Sequence, residues 1–449
     1  MEFLEIPLYA YADSDLINCG KLIDGKRVLN FEQVRQLENP FILIGSFAVL
    51  PIYEKLKAAG IENVAAPLET VKIPSGEAKK DLDVLLACRM EFGFPDNILV
   101  EMYGNIGDLV LKLGMLKALL RHFKKQNVTV LVETQENAEM IRLFTDNVEV
   151  AEKERYCVDR EYRRRFLDKI NSRHFSRTVV LCDARLYANR RLINQWNCNI
   201  QDVIMNPVVP QSELLWKLDA SMLHKKFGIS MADMEPHRAG LWEAVLSAVY
   251  APVLTGKYIC IHMGATRRER HYDPVRFSTI ISHIVSRGYQ CVFIGHGDYD
   301  EFFVQKIYEN CDKDSRSGIA SYVGKLSLIE SFAVIAGADF FLGTDSGMWN
   351  ASYVLEKPSI CLYGGGEYGC FKHEAVWIQY LTIVDHSCFG CKWFCTNQAP
   401  SGYSKCMDGI SEEIIILAID RQMAVQEHTD VLLRESKMVA LPGTQSRQI

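Results

Sequence analysis

The chain reads as an α/β protein of two doubly wound parallel sheets, with a smaller α/β module ahead of them. Three observations predict this. Short apolar runs such as Ile98–Met102, Val128–Val132 and Tyr258–His262 alternate with longer amphipathic stretches, the pattern of βαβ units. The alternation stops at a polar, helix-prone stretch from Leu215 to Leu254 and then restarts. Glycine-containing turns follow the strands at Tyr103–Asp108, Met263–Ala265 and Gly343–Gly347. The length, 449 residues, accommodates two or three domains.

The elements follow in order. Residues 1–95 form the accessory module, in which Phe41–Gly45 is a strand and Tyr53–Ala59 a helix. Its Gly45-Ser46-Phe47 turn lacks the full G-x-G-x-x-G spacing, which argues against dinucleotide binding there. Residues 96–235 form the first large domain. After Ile98–Met102 and its turn, Leu109–Phe123 has helical periodicity, with Lys112, Lys117 and Arg121 expected to face solvent. Val128–Val132 and Thr178–Cys182 are further strands, with a helix at Ala138–Phe144. The charged run Glu152–Arg165 reads as a solvated helix face. Residues 236–415 form the second large domain, with strands at Tyr258–His262, Cys291–Gly295 and Asp339–Leu342 and helices at Val275–Arg287, Glu301–Glu309 and Leu328–Ala336. Residues 416–449 are a C-terminal helix and tail.

Composition bounds the function. With 48% hydrophobic and 24% charged residues the chain can bury a sizeable core. A net charge of −6 argues against bulk nucleic-acid binding, so any phosphate recognition must be local. The N-terminus lacks a basic region followed by a cleavable apolar run, and no stretch has the length of a charge-free membrane span. Fourteen cysteines without a secretory signal point to a reducing compartment and mostly buried thiols.

The richest stretch is Leu342–Gly365: strand, polar turn Gly343-Thr344-Asp345-Ser346-Gly347, helix, then a second strand after Lys357-Pro358. Unpaired N–H groups at a helix start carry partial positive charge and suit a phosphate. Gly347 permits close approach to the backbone, and the Thr344 and Ser346 hydroxyls can add hydrogen bonds. An ordinary capped strand–helix junction has the same spelling. Arg267, Arg268 and Arg270 follow the Gly264-Ala265-Thr266 turn, and a guanidinium grips phosphate bidentately. Thr266 can donate its hydroxyl to the same group. Arg267 and Arg268 also fit as solvated charges paired with Glu269.

The four cysteines Cys388, Cys391, Cys395 and Cys406 are spaced C-x-x-C-x-x-x-C, a ten-residue gap, then Cys. C-x-x-C pairs bite one ion well and two further thiolates complete a tetrahedron, suiting Zn²⁺ or iron in a closed structural site. Four separate thiols, or disulfides in an oxidising compartment, are the alternatives.

Four ordered matches make the two large domains resemble glycosyltransferase family 9, the bacterial heptosyltransferases of GT-B fold. They are Gly107-Asp108 between a strand and a helix, the segment His262–Tyr272, Gly324–Leu328 leading to Gly337-Ala338-Asp339, and Gly343–Gly347 through Lys357-Pro358 to Tyr363-Gly364. Two departures stand out. Arg270-His271-Tyr272 replaces a typical Lys-His-Trp in a segment one residue shorter, and Asn350 stands where the family often has a histidine. The resemblance implies an inverting transfer with Asp108 as base; a helix-capping role is the alternative for that residue.

The same resemblance assigns the donor to Thr266, Arg267, Arg270, Lys325, Leu326, Thr344, Asp345, Ser346, Gly347 and Asn350, with Arg270 in the place of a phosphate-binding lysine and Lys325 and Leu326 beside the base. Glu330 is placed facing either the ribose or solvent, and His271 either packs or acts.

The implied donor is a nucleotide-diphosphate sugar, ADP-heptose above others. The implied acceptor is a lipopolysaccharide-core sugar or a serine or threonine of a surface protein, and the implied location the cytoplasm or the inner face of its membrane. No catalytic cofactor is expected, and no nucleic-acid partner. Self-association into a homo-oligomer is compatible with the chain. Protein-directed members of the family carry an iron-binding cysteine finger near the position of the cysteine cluster. Nucleotide-sugar 2-epimerases share the fold, and an inactive nucleotide- or metal-binding scaffold is the remaining alternative.

Overall fold

The computed structural model describes residues 97–173, 175–183, 198–206, 214–248, 254, 256–366, 369–383, 388–391, 395 and 398–439, together with residues 11–12, 22–23, 26–37, 42–43 and 64–65. Contacts divide the chain into two units: Met1–Gly93 with Tyr187–Ile193, and Phe94–Leu186 with Asn194–Ile449. In the first, Tyr11–Ala12, Leu22–Ile23 and Lys26–Leu29 pair as strands, and Ile42–Leu43 pairs with Val64–Ala65 in parallel. Asn30 and Gln33 cap the helix Phe31–Arg35, each side chain accepting the other's backbone N–H at 2.9 Å. The expected Gly45–Phe47 turn and Tyr53–Ala59 helix lie outside the described residues.

The second unit holds two parallel sheets. The first has strands β1 (Ile98–Met102), β2 (Val128–Val132), β3 (Val148–Val150), β4 (Phe175–Asp183) and β5 (Cys198–Asn206), in the order β5-β4-β1-β2-β3. Every residue of β1 and β2 is buried, as expected of parallel strands covered on both faces. The second sheet has β6 (Tyr258–His262), β7 (Gln290–Phe293), β8 (Ile319–Ser321), β9 (Phe340–Thr344), β10 (Ser359–Leu362) and β11 (Ile378–Leu381), ordered β8-β7-β6-β9-β10-β11. Its register pairs Ile261 with both Phe293 and Leu342, and His262 with Gly343.

Each sheet has one place where the strand order reverses. In the first the chain leaves β1 for β2 and β3 on one side and returns to β4 on the other; in the second, β6 has β7 on one side and β9 on the other. Open α/β sheets bind ligands at such points, beyond the carboxyl ends of the strands. The turn Tyr103–Asp108 leaves β1, the loop after His262 leaves β6, and Gly343–Gly347 ends β9, so all three glycine turns stand at the switch points.

The helices that matter for the site are α1 (Ile106–Leu111), α2 (Leu113–His122), α3 (Pro274–Ser286), α4 (Asp298–Asn310), α5 (Leu328–Gly337), α6 (Gly347–Val354) and α7 (Glu412–Val439). The helix expected over Leu109–Phe123 is two helices that meet at Lys112, whose backbone sits at φ −94°, ψ 0°. The expectation for Lys112 is corrected by its burial. Its Nζ donates to the Leu181 carbonyl at 3.3 Å and lies 3.9 Å from Asp219 Oδ2. At about 3.6 residues per turn it stands about half a turn round from Arg121 even on an unbroken helix, so the two do not share a face, and its charge is met by the end of β4 and by Asp219. Lys117 is half-buried, with Nζ 3.4 Å from the Arg238 carbonyl, and Arg121 faces solvent as expected.

The charged run also resolves into structure. Asp159 caps the helix Arg160–Asn171, which buries Phe166 and Ile170 and turns its charges outward. At the other end, α7 lays Ile415, Ile419 and Met423 into the core shared with α3, and Glu412 pairs with Arg276 at 2.7 Å.

Removing one partner of a buried ion pair costs roughly 3–5 kcal/mol, whereas exposed substitutions stay within about 0.5 kcal/mol. Lys112→Met is therefore expected to lower the thermal midpoint by several degrees and Arg121→Met to leave it nearly unchanged. Equal, small shifts in a melting experiment would return Lys112 to the solvent.

Candidate functional site

The site is built where α1 and α6 begin. Gly107 and Gly347 face each other across these two helix starts. A Cβ added at Gly107 would lie 3.1 Å from Gly347 Cα and 2.9 Å from Asn350 Nδ2, and one added at Gly347 would lie 3.3 Å from Gly107 N. Separations this short leave no room for a side chain at Gly107. The turn of Asp108 and the turn Gly343–Gly347 are thus brought together, although 235 or more residues separate them in sequence.

Asp108 is half-buried and its Oδ2 accepts the Asn105 backbone N–H at 3.1 Å. The carboxylate therefore takes part in capping α1. Across the junction, Thr344 closes β9 and donates its hydroxyl to the Met263 carbonyl at 3.4 Å. Asp345 is buried; its carbonyl accepts Arg270 Nη1 at 3.0 Å, and its Oδ2 lies 3.6 Å from the same nitrogen. Arg270 is thereby fixed against the turn. Ser346 caps α6, accepting the Trp349 N–H at 3.4 Å. Its Oγ also lies 3.1 Å from His262 Nδ1, and His262 Nε2 is 3.7 Å from Asp300 Oδ2. Burial pushes the His262 pKa down, so the ring is neutral at neutral pH.

The loop between β6 and α3 is held by its aromatic residues. His271 stacks on Tyr299 with ring centroids 3.3 Å apart, and its Nε2 lies 3.0 Å from the Ala265 carbonyl. Tyr299 Oη donates to the Tyr272 carbonyl at 3.0 Å, and Tyr272 Oη to that of Ile410 at 2.8 Å. His271 thus packs. Thr266 and Arg267 stand exposed at the loop's outer edge. Lys325 is exposed, with Nζ donating to the Ser321 carbonyl at 2.8 Å, and Leu326 is half-buried. Glu330 accepts the Ser327 N–H at 2.7 Å in a capping box at the start of α5. Of the sequence-derived set, the structure gathers Arg270, Thr344, Asp345, Ser346, Gly347 and Asn350 around one turn, with Asp108 across the helix junction.

Three side chains at this junction were not among the site residues read from sequence: His262, Asp300 and His373. His373 Nε2 lies 2.9 Å from Asn350 Oδ1, and Asn350 Nδ2 donates to the Gly107 carbonyl at 3.4 Å. Burial pushes the His373 pKa down to about 3. Only His262 had a visible cue, as the last residue of a predicted strand.

The four cysteines are half-buried. The turn holding Cys388 docks on the end of β10, where Gly390 N–H donates to the Gly365 carbonyl at 2.7 Å. Cys406 Sγ lies 3.6 Å from Ser404 Oγ. Thiolates are a suitable donor set for zinc or iron. Among the described residues, however, no group of three or more His, Cys, Asp or Glu side chains is gathered to hold a metal ion.

Comparison with known proteins follows this geometry. Residues 199–380 match the family model for glycosyltransferase family 9 (heptosyltransferase). A lipopolysaccharide heptosyltransferase 3 of Escherichia coli is 28% identical over 112 residues, 25% of this chain and 32% of the relative. The autotransporter heptosyltransferase TibC of Escherichia coli O78:H11 (strain H10407 / ETEC) is 24% identical over 140 residues, 31% of this chain and 32% of the relative. The matched segments thus span about a third of these curated relatives. Among solved structures, the E. coli ADP-heptose LPS heptosyltransferase II superposes with a TM-score of 0.55 at 13% identity, covering 74% of this chain and 99% of that one. The shared fold is GT-B. Among the described residues no helix is long and apolar enough to cross a membrane.

The buried histidines set an acid limit on the fold. The folded pKa of His373, about 3, lies below its ordinary 6.5, so the unfolded chain takes up a proton first as pH falls. The stability tied to its neutral form is complete above pH 6.5 and is lost progressively towards about pH 3. His262 and His271 shift downward by burial and act in the same sense. The thermal midpoint should fall between about pH 7 and about pH 5, a window above most carboxylate titration, and His373→Gln should fall less. Parallel curves for the two proteins would exclude His373 as a contributor.

Proposed function

We propose, because residues 199–380 match the family model for glycosyltransferase family 9 and the fold is GT-B, that this protein transfers a heptose from ADP-heptose to a hydroxyl acceptor with inversion at the anomeric carbon. The carrying observation is the Gly107–Gly347 contact, which sets the Asp108 turn against the turn that would hold the donor diphosphate.

The chemistry balances on these residues. The acceptor oxygen bonds to the anomeric carbon as the bond from that carbon to the diphosphate oxygen breaks. The acceptor proton passes to Asp108, and the nucleoside diphosphate leaves with the bonding electron pair. The N–H groups at the start of α6, with Arg270 and the outer Thr266 and Arg267, face the charge that develops on the leaving group. Lys325 and Leu326 complete the donor side, and Asn350 stands behind the turn with its amide on Gly107 and His373. The acceptor is a lipopolysaccharide-core sugar or a serine or threonine of a surface protein, reached from the cytoplasm; the names of the relatives, a lipopolysaccharide heptosyltransferase and an autotransporter heptosyltransferase, support both readings.

Purified protein incubated with ADP-heptose and each acceptor class should release ADP and label one of them. Asp108→Asn should lower kcat by roughly two orders of magnitude with ADP affinity little changed. Near wild-type turnover would return Asp108 to its helix-capping role. Free epimerised sugar nucleotide would replace the transferase reading with an epimerase.

The cysteine segment is proposed to hold one structural metal. Its sequence spacing carries this, and ligation would itself draw the thiolates together, since metal binding and local folding are coupled. Elemental analysis of protein purified without added metal should find about one zinc or iron per chain, the stoichiometry of a single tetrahedral site. Cys391→Ser should abolish that signal and Cys260→Ser, in the buried strand β6, should not. Metal-free wild-type protein would end the proposal.

A further inference from the structure

Asn350 lies on the second turn of α6 and is buried. Its amide has two partners. Oδ1 faces His373 Nε2 at 2.9 Å, and Nδ2 faces the Gly107 carbonyl at 3.4 Å. A carbonyl can only accept, so the NH₂ group must point at Gly107 and the amide oxygen at His373. His373 must then carry its proton on Nε2. The opposite tautomer would favour a flipped amide, which sets Oδ1 against the Gly107 carbonyl oxygen.

The ring is not free to choose another arrangement. His373 is 2% exposed and stacks face to face on Tyr353, with centroids 4.0 Å apart and planes 5° apart. Trp349 stacks at 6.0 Å on the same cluster. The His373 carbonyl also accepts Tyr380 Oη at 3.2 Å, tying down the backbone. Burial keeps the ring neutral, which a single N–H donor requires.

Gly107 immediately precedes Asp108 and packs on Gly347. The amide therefore spans the start of the helix that bears the base and the helix that begins at the donor turn. We propose that His373 is a positioning residue: its Nε2–H orients the Asn350 amide, which ties Gly107 to α6 and holds Asp108 at a fixed place relative to the donor turn. This rests on the glycosyltransferase reading and extends it to a residue that touches neither substrate.

His373→Phe keeps a ring on Tyr353 but has no donor, whereas His373→Gln brings an amide N–H to the reach of Nε2. Displacing a reacting group by about 1 Å can cost on the order of a hundredfold. His373→Phe should lower kcat roughly ten- to a hundredfold, with donor KM and calorimetric ADP affinity within about threefold of wild type. His373→Gln should recover most of kcat. In an Asn350→Ala background, His373→Phe should add little, because both changes break one chain of contacts.

The inference is overturned if Gln is as impaired as Phe, if kcat stays at wild type in Phe, or if the two losses simply multiply. Wild-type protein that neither binds ADP nor transfers sugar would instead sink the glycosyltransferase reading. The latch is then decided on thermal midpoints: coupled losses at positions 350 and 373 with rescue by Gln sustain it, and additive losses without rescue refute it.

Discussion

The contact between the starts of α1 and α6 is the constraint on which the site depends. Two sheets each present a switch point, but a switch point is only a crevice until something faces it. Here each faces the other through glycines. A Cβ at Gly107 would come within 2.9 Å of Asn350 Nδ2, closer than packed atoms tolerate, so the absence of a side chain is what lets the backbones meet. At 3.3 Å from Gly107 N, a Cβ at Gly347 would be tight and would push the helix starts apart. Gly347 was read from sequence as room for a phosphate; in the fold it is also room for another helix. Both demands select the same residue, and neither is visible from the other's side of the chain.

Around that contact, polar groups are paired before any ligand arrives. Arg270 is anchored on Asp345, Ser346 on Trp349 and His262, and Asn350 on Gly107 and His373. Preorganised dipoles need little rearrangement when charge develops, which is the main source of electrostatic stabilisation in enzymes. The pairing has a second effect. Asp345 offsets part of the Arg270 charge, so under the proposed donor reading the N–H groups of α6 would carry a larger share of anion recognition than a count of nearby arginines suggests.

How much of this was legible follows from how local each signal is. Strands β1, β2, β6 and β9 are buried along their whole length, so they read as continuous apolar runs and were placed from sequence within a residue or two. The Ser327-x-x-Glu330 spacing spells a capping box, yet Glu330 was read as facing the ribose or solvent, and the local capping bond is where it is found. Lys112 was misread because its charge was taken as a sign of exposure, although it stands about half a turn round the helix from Arg121 and its partners, the Leu181 carbonyl and Asp219, are far away in sequence. His373 gave no cue at all: its partner is 23 residues back, and that partner's other contact is 243 residues away. Contacts of this range are set by topology, and no window along the sequence contains both ends.

The cysteine segment shows the same logic from the other side. Its spacing was plain in the sequence, but its attachment was not. Gly390 bonds the Gly365 carbonyl just past β10, where a Cβ on Gly365 would meet Phe389 at 2.4 Å. Further along, Ser404 Oγ donates to the Glu269 carbonyl at 2.6 Å, in the turn that carries Arg270. The segment is therefore pinned at two places to the domain that carries the Arg270 turn. Conformational freedom lost in the segment, by thiolate ligation or by any other ordering, is freedom lost by the Arg270 turn as well. A closed structural centre need not touch a substrate to matter here, because the segment it would order donates the Ser404 hydroxyl to the backbone that places the arginine.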